Sequence, residues 1–215
     1  MRAYLICLLF LSGIVQAQPD SCHLRFEIKG LQPGKVKFIA VFADQNYIID
    51  SAMADDLGRF GLKRTRPLPT GYFYCILPDY SNFHLMVGDE QFFSMTAEKS
   101  DIVSTMSVDG SIDNEMLYEN FRMQEWLDPR LDSLYKRKSD TSLPKATIAA
   151  TEVEIDKLNG MRKEQLLRNQ RQHPNALYTK FKTAGQNPEP VDVRKPNGEV
   201  DRELQLEYFR QAFWD

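Results

Sequence analysis

Cys22 and Cys75 are the residues of this 215-residue chain with the most reactive side chains once its apolar leader is set aside. Two leftover cysteines in an oxidising compartment invite pairing, and closing so long a loop would stabilise the fold by roughly 4 kcal/mol in a chain-entropy treatment. The bridge requires the two Cα atoms to approach within about 7 Å, which spacing alone does not reveal. The other reading of Cys75, inside Tyr72-Phe73-Tyr74-Cys75-Ile76-Leu77, is a small buried hydrophobe. A redox-active dithiol is disfavoured, because the two cysteines are far apart and no C-x-x-C occurs. His23, His84 and His173 stand in unrelated contexts, none at metal-ligand spacing from another His, Cys or carboxylate. Gly30 to Lys35 echoes a phosphate loop but has one residue too few between its glycines, and Val36 where magnesium needs a hydroxyl. No G-x-S-x-G elbow, H-E-x-x-H pair or calcium loop is present. The residues therefore assign no catalytic, cofactor-binding or metal position, and they imply no cofactor. Cys22 and Cys75 remain as a candidate disulfide.

Two further clusters have both a binding and a structural reading. Tyr72, Phe73, Tyr74, Tyr80 and Phe83 could form a stacking platform for a glycan or peptide. Strand alternation instead sends one half of such a cluster into the core and the other half onto a partly covered face. The cationic run Lys136-Arg137-Lys138 is most simply a helix C-terminus answering its own dipole.

The elements that must position these groups change period near residue 110. Before it, apolar residues alternate and turn residues recur at short intervals. Strands are expected over 24–28, 35–43, 47–54, 59–62, 72–77, 83–87, 91–95 and 102–108. Gly30 to Gly34, Asp55 to Gly58 and Pro67 to Pro69 are the main breaks. Eight short strands at this spacing predict an antiparallel β-sandwich, jelly-roll-like in order. Beyond Gly110 the pattern is helical. Ser111 or Asp113 is placed to cap a helix carrying Met116, Leu117, Phe121, Met123, Trp126 and Leu127, and Asp128-Pro129 reads as a restart through Leu131, Leu134 and Tyr135. A long helix over 144–172 has sparse apolar marks (Ile148, Ile155, Leu158, Leu166), which predict an exposed arm along a narrow seam. Pro174-Asn175 ends it and caps a short helix with Leu177, Phe181 and Ala184 on one face, closed by Gly185. Asp201 starts the last helix. The expected organisation is residues 1–17 as a leader, 18–110 as the sandwich and 111–215 as a helical arm or connector.

The address comes from the first residues. Arg2 is a positive n-region, Ala3 to Val15 an apolar run, and Val15-Gln16-Ala17 a small-x-small cleavage site, so an exported chain is expected to begin at Gln18. The run is too short to span a bilayer, and Gln18-Pro19-Asp20-Ser21 before Cys22 is the wrong chemistry for a lipid anchor. Of the 27 basic residues only Arg2 lies in the leader, so 26 face 30 acidic ones, a net charge of −4. That balance disfavours nucleic acid and anionic membrane surfaces as partners.

An ordered set of marks resembles the N-terminal domain that precedes thioredoxin-like domains in exported thiol-disulfide oxidoreductases of Gram-negative bacteria. The marks are Phe26-Glu27-Ile28-Lys29-Gly30-Leu31 with Gly34, Ile49-Asp50-Ser51-Ala52, Gly58-Arg59-Phe60, Val87-Gly88-Asp89, and Val108-Asp109-Gly110-Ser111 with Asn114. His173-Pro174-Asn175 and the closing Tyr208 to Asp215 are similar to the helical connector of such proteins. The resemblance implies a periplasmic, non-catalytic accessory module whose partners are a downstream thioredoxin-like domain, client proteins or a second copy. It carries over no catalytic residue, because the family's C-x-x-C lies in the other domain. The alternative is a stand-alone exported protein whose sandwich recognises a glycan or peptide. The last helix carries Phe209, Phe213 and Trp214 to its end with no C-cap, from which the reading frame is expected to continue beyond Asp215.

Overall fold

The computed structural model describes residues 21–42, 44–186 and 191–214, so the leader and its cleavage site lie outside the described residues. Eight strands, β1 (Cys22–Lys29), β2 (Gly34–Phe42), β3 (Gln45–Ala54), β4 (Arg59–Arg64), β5 (Gly71–Ile76), β6 (Asn82–Val87), β7 (Phe92–Glu98) and β8 (Ser107–Asp109), form two four-stranded sheets. Their orders are β4-β1-β7-β8 and β3-β2-β5-β6. The helices are α1 (Ile102–Thr105), α2 (Ile112–Lys138), α3 (Lys145–Gln172), α4 (Leu177–Ala184) and α5 (Arg202–Trp214).

The alternation in β1 sends Cys22, Leu24, Phe26 and Ile28 inward and leaves the residues between them at least partly exposed. Their partners come from both sheets. The Phe26 ring stacks on Phe60 of its own sheet at 5.1 Å and meets Phe38 and Phe83 of the other at 5.8 and 5.6 Å. Each such ring contributes roughly 1.5–3 kcal/mol by leaving water. The turn into β4 is built around Gly58, at φ 73°, where a Cβ would stand 2.0 Å from the Ile28 carbonyl oxygen. No other residue fits that approach.

Pairing is antiparallel except at one seam. β1 and β7 run parallel, from His23 opposite Phe92 to Lys29 opposite Glu98, so the expectation of a wholly antiparallel arrangement is corrected. Parallel neighbours need a long crossover, and here the entire second sheet lies in the connection. The expected eighth strand is also revised. Asp101 accepts the Ser104 N–H at 3.1 Å, winding residues 102–105 into a helical turn and leaving β8 only three residues.

Among the helices, Asp128-Pro129 does not restart a helix: α2 runs through Pro129 unbroken. Leu127, Leu131 and Leu134 are buried with Ile155 and Leu158 of α3 in a core of their own. Three buried leucines at roughly 1.5–3 kcal/mol each outweigh a proline cost of about 3 kcal/mol. α4 buries Tyr178 and Thr179 rather than Leu177, Phe181 and Ala184. Asn175 does not cap it. The cap is Asp113 of α2, whose carboxylate accepts the Tyr178 N–H at 2.8 Å. Asp201 does open α5, accepting the Leu204 N–H at 3.1 Å.

Candidate functional site

Cys22 opens β1 of one sheet and Cys75 sits within β5 of the other, both buried and both free thiols. The bridge between them is thus not made in the structure. Burial pushes the Cys75 thiol well above its ordinary value. It raises Cys22 as well, against the opposing pull of the Arg64 guanidinium. A thiol so placed is neutral at physiological pH and out of reach, the opposite of what disulfide exchange needs.

The aromatic cluster divides between the two faces of its sheet. Phe73 and Phe83 point into the shared core. Tyr72 and Tyr74 face outward with His84, whose ring stacks on Tyr72 at 5.5 Å. Phe181 of α4 also stacks on Tyr72, at 6.1 Å with its plane 13° away. Tyr80 is apart from both groups, 85% exposed in a tight turn. His84 is held neutral by burial, and its Nδ1 has no hydrogen-bond partner. His23 lies on β1, and the N–H of His173 closes α3 on the Asn169 carbonyl at 2.7 Å, so the three histidines are not brought together. Among the described residues no group of three His, Cys, Asp or Glu is placed to hold a metal ion. Lys136, Arg137 and Lys138 occupy the last turn of α2, and Lys138 pairs with Glu152 of α3 at 3.0 Å.

The outer edges of the sheets are treated unequally. β6 is an edge strand, and α2 seals it. The Asn114 amide oxygen accepts the Met86 N–H at 2.7 Å while its nitrogen donates to the Met86 carbonyl at 2.7 Å. One turn on, the Tyr118 hydroxyl donates to the His84 carbonyl at 2.9 Å. Residues four apart lie on one helix face, so this face takes the place of a fifth strand. The sequence marked Asn114 only as part of a motif; its spacing to Tyr118, just after a buried strand, was the available signal.

At the other edge of the same sheet, β3 has no such cover among the described residues. Its register with β2 slips between Phe38 and Ile39, a bulge that tucks Ile49 against the core. Ile48 and Met53 stand 65% and 67% exposed, with Tyr47 beside them and Phe42 at 74% on β2. These apolar side chains stand beside main-chain groups of β3 that no neighbouring strand pairs.

The described structure therefore defines a class of architecture, two mostly antiparallel four-stranded sheets followed by helices, without a gathered set of reactive groups. No family model, curated protein or solved structure matches the chain. Among the described residues, no helix is long and apolar enough to cross a membrane.

Proposed function

We propose that the chain is the non-catalytic accessory and interaction module of a periplasmic thiol-disulfide oxidoreductase. In this reading the leader is cleaved after Ala17, and the two sheets stack as a jelly-roll-like sandwich, supported by the Phe26 contacts to Phe38 and Phe83. The observation that carries it is the state of the thiols. An attacking cysteine must be reachable and must ionise near ambient pH. Cys22 and Cys75 are 1% and 0% exposed and their pKa values are raised. Exchange chemistry then belongs to another domain, and this chain's contribution is surface, with the exposed Phe42, Tyr47, Ile48 and Met53 near the open β3 edge available to a thioredoxin-like domain.

The test joins sequence to activity. The reading frame past Asp215 should hold a C-x-x-C within roughly the next hundred codons, about one domain's length. The chain alone should reduce no insulin disulfide, and the longer protein should. A stop codon directly after Asp215 would overturn the reading in favour of a stand-alone exported glycan- or peptide-binding protein, which the outward ladder Phe181–Tyr72–His84 favours. Exported material whose N-terminus is Met1 rather than Gln18 would remove the periplasmic address.

A further inference from the structure

The seam between α2 and α3 changes character along its length. The buried residues of α3 include Thr151, Ile155, Leu158, Gln165 and Asn169, steps of four, three, seven and four that keep one stripe turned toward α2. Far from the sheets the stripe is aliphatic, Ile155 and Leu158 against three leucines of α2. Nearer the sheets it becomes amide: Gln165 and Asn169 are 7% and 3% exposed, and Asn120 of α2 is 6% exposed. Apolar side chains at these positions would pack without desolvating polar groups, so buried amides here call for a partner.

At this point the helices part around a cavity of about 390 Å³, with Tyr178 and Lys182 of α4 in its wall. Its size falls within the range of small-molecule sites. Arg162, Lys163 and Lys182 line it, with no carboxylate among the described lining residues, in a chain whose formal net charge is −3. Arg162 is engaged by Asp128. Lys182 has no carboxylate in ion-pair range among the described residues, and burial and the neighbouring Arg162 both lower its ammonium pKa. The Tyr178 hydroxyl is buried and makes no hydrogen bond. The Lys182 ammonium, a row of amides and an unpartnered phenol thus meet in one cavity.

We propose that this cavity binds a small hydroxylated carboxylate, with the size and chemistry of a sugar acid. The carboxylate lies between Lys182 and Arg162. Ligand hydroxyls pair with Asn120, Gln165 and Asn169, whose amides both donate and accept, and with the Tyr178 hydroxyl. A neutral sugar leaves Lys182 without a counter-charge, and a bare oxyanion offers the amides and the Tyr178 hydroxyl no hydroxyl partners.

Calorimetric titration of the purified chain with D-glucuronate, D-glucose and inorganic phosphate tests this directly. Saturable glucuronate binding that weakens with added salt is expected, with glucose and phosphate each at least roughly tenfold weaker, the loss of one charge-assisted hydrogen bond or more. Tyr178→Phe should weaken glucuronate roughly tenfold while leaving the melting temperature of the ligand-free protein unchanged or higher, since it deletes a buried hydroxyl that has no partner. Lys182→Gln should weaken glucuronate and leave glucose unaffected. Absence of saturable glucuronate binding overturns the proposal, as does glucose or phosphate binding as tightly. A Tyr178→Phe protein that melts lower and binds glucuronate unchanged overturns it too, by giving the hydroxyl a structural role instead.

Discussion

Replacing Asn114 by alanine removes a side chain that is 0% exposed and that satisfies both backbone groups of Met86 at 2.7 Å each. The change leaves an N–H and a C=O of the β6 edge buried beneath α2 without partners. Each orphaned group costs about 1–3 kcal/mol, so a loss of roughly 3–4 kcal/mol is expected, a large share of the 5–15 kcal/mol typical of a domain. The hydrogen bond from the Asn114 amide to Ser111 Oγ, 2.9 Å, is lost with it and loosens the N-cap of α2. Urea unfolding followed by circular dichroism should show the midpoint falling with little change in slope, because the surface exposed on unfolding is the same. Asn114→Asp sharpens the test. An aspartate can accept the Met86 N–H but, when ionised, cannot donate to the carbonyl, so its deficit should shrink as acid protonates it. A loss below about 1 kcal/mol for the alanine variant would refute the claim that this amide acts as a substitute strand.

Titration with a thiol reagent in urea, without reductant, should find both Cys22 and Cys75 reactive, and native protein should leave both unmodified because they are buried; finding neither in urea would show them bridged. The Asp113 carboxyl is raised above its ordinary 3.8 by burial and by the nearby charges of Glu90 and Asp89, while the N–H groups of Tyr178 and Leu177 partly offset the rise. An acid raised in the folded state contributes stability that is fully present below the unfolded value and is lost as pH climbs through the folded one. Stability should therefore decline as pH rises above about 4, and Asp113→Asn, which keeps an acceptor for Tyr178, should flatten that slope; an unchanged slope counts against the assignment. Pro129→Ala restores a helical N–H in the middle of α2 and should raise stability by up to about 3 kcal/mol, read from the melting temperature; a lower melting temperature would mean the ring itself is packed in place.

Strands β1 to β7 could be read from alternation because each has one face in the core, as with Leu24, Phe26 and Ile28. The exception, residues 102–108, failed because Asp101 offers a local cap that competes with a strand, a choice between two short-range options that periodicity does not rank. The α2 break failed for the reverse reason: a local signal, Asp128-Pro129, was overruled by leucines whose partners lie on another helix. The parallel pairing of β1 with β7 leaves no trace in either strand, since period two is the same for both directions. The arm's thin seam was visible through Ile155 and Leu158. Its amide end was not, because Asn120, Gln165 and Asn169 are ordinary surface residues until the helices enclose them.

The parallel seam also sets the order of assembly. β1 leads the described chain, and one of its two neighbours, β7, follows only after the whole second sheet has been made. During synthesis from the N-terminus, β1 can first gain only β4, and its other side stays open until residues 92–98 arrive. Contacts of such long sequence separation form slowly because loop closure precedes any gain. Until residues 92–98 are in place, that side of β1, whose Leu24, Phe26 and Ile28 face inward, has no strand of its own to pair with.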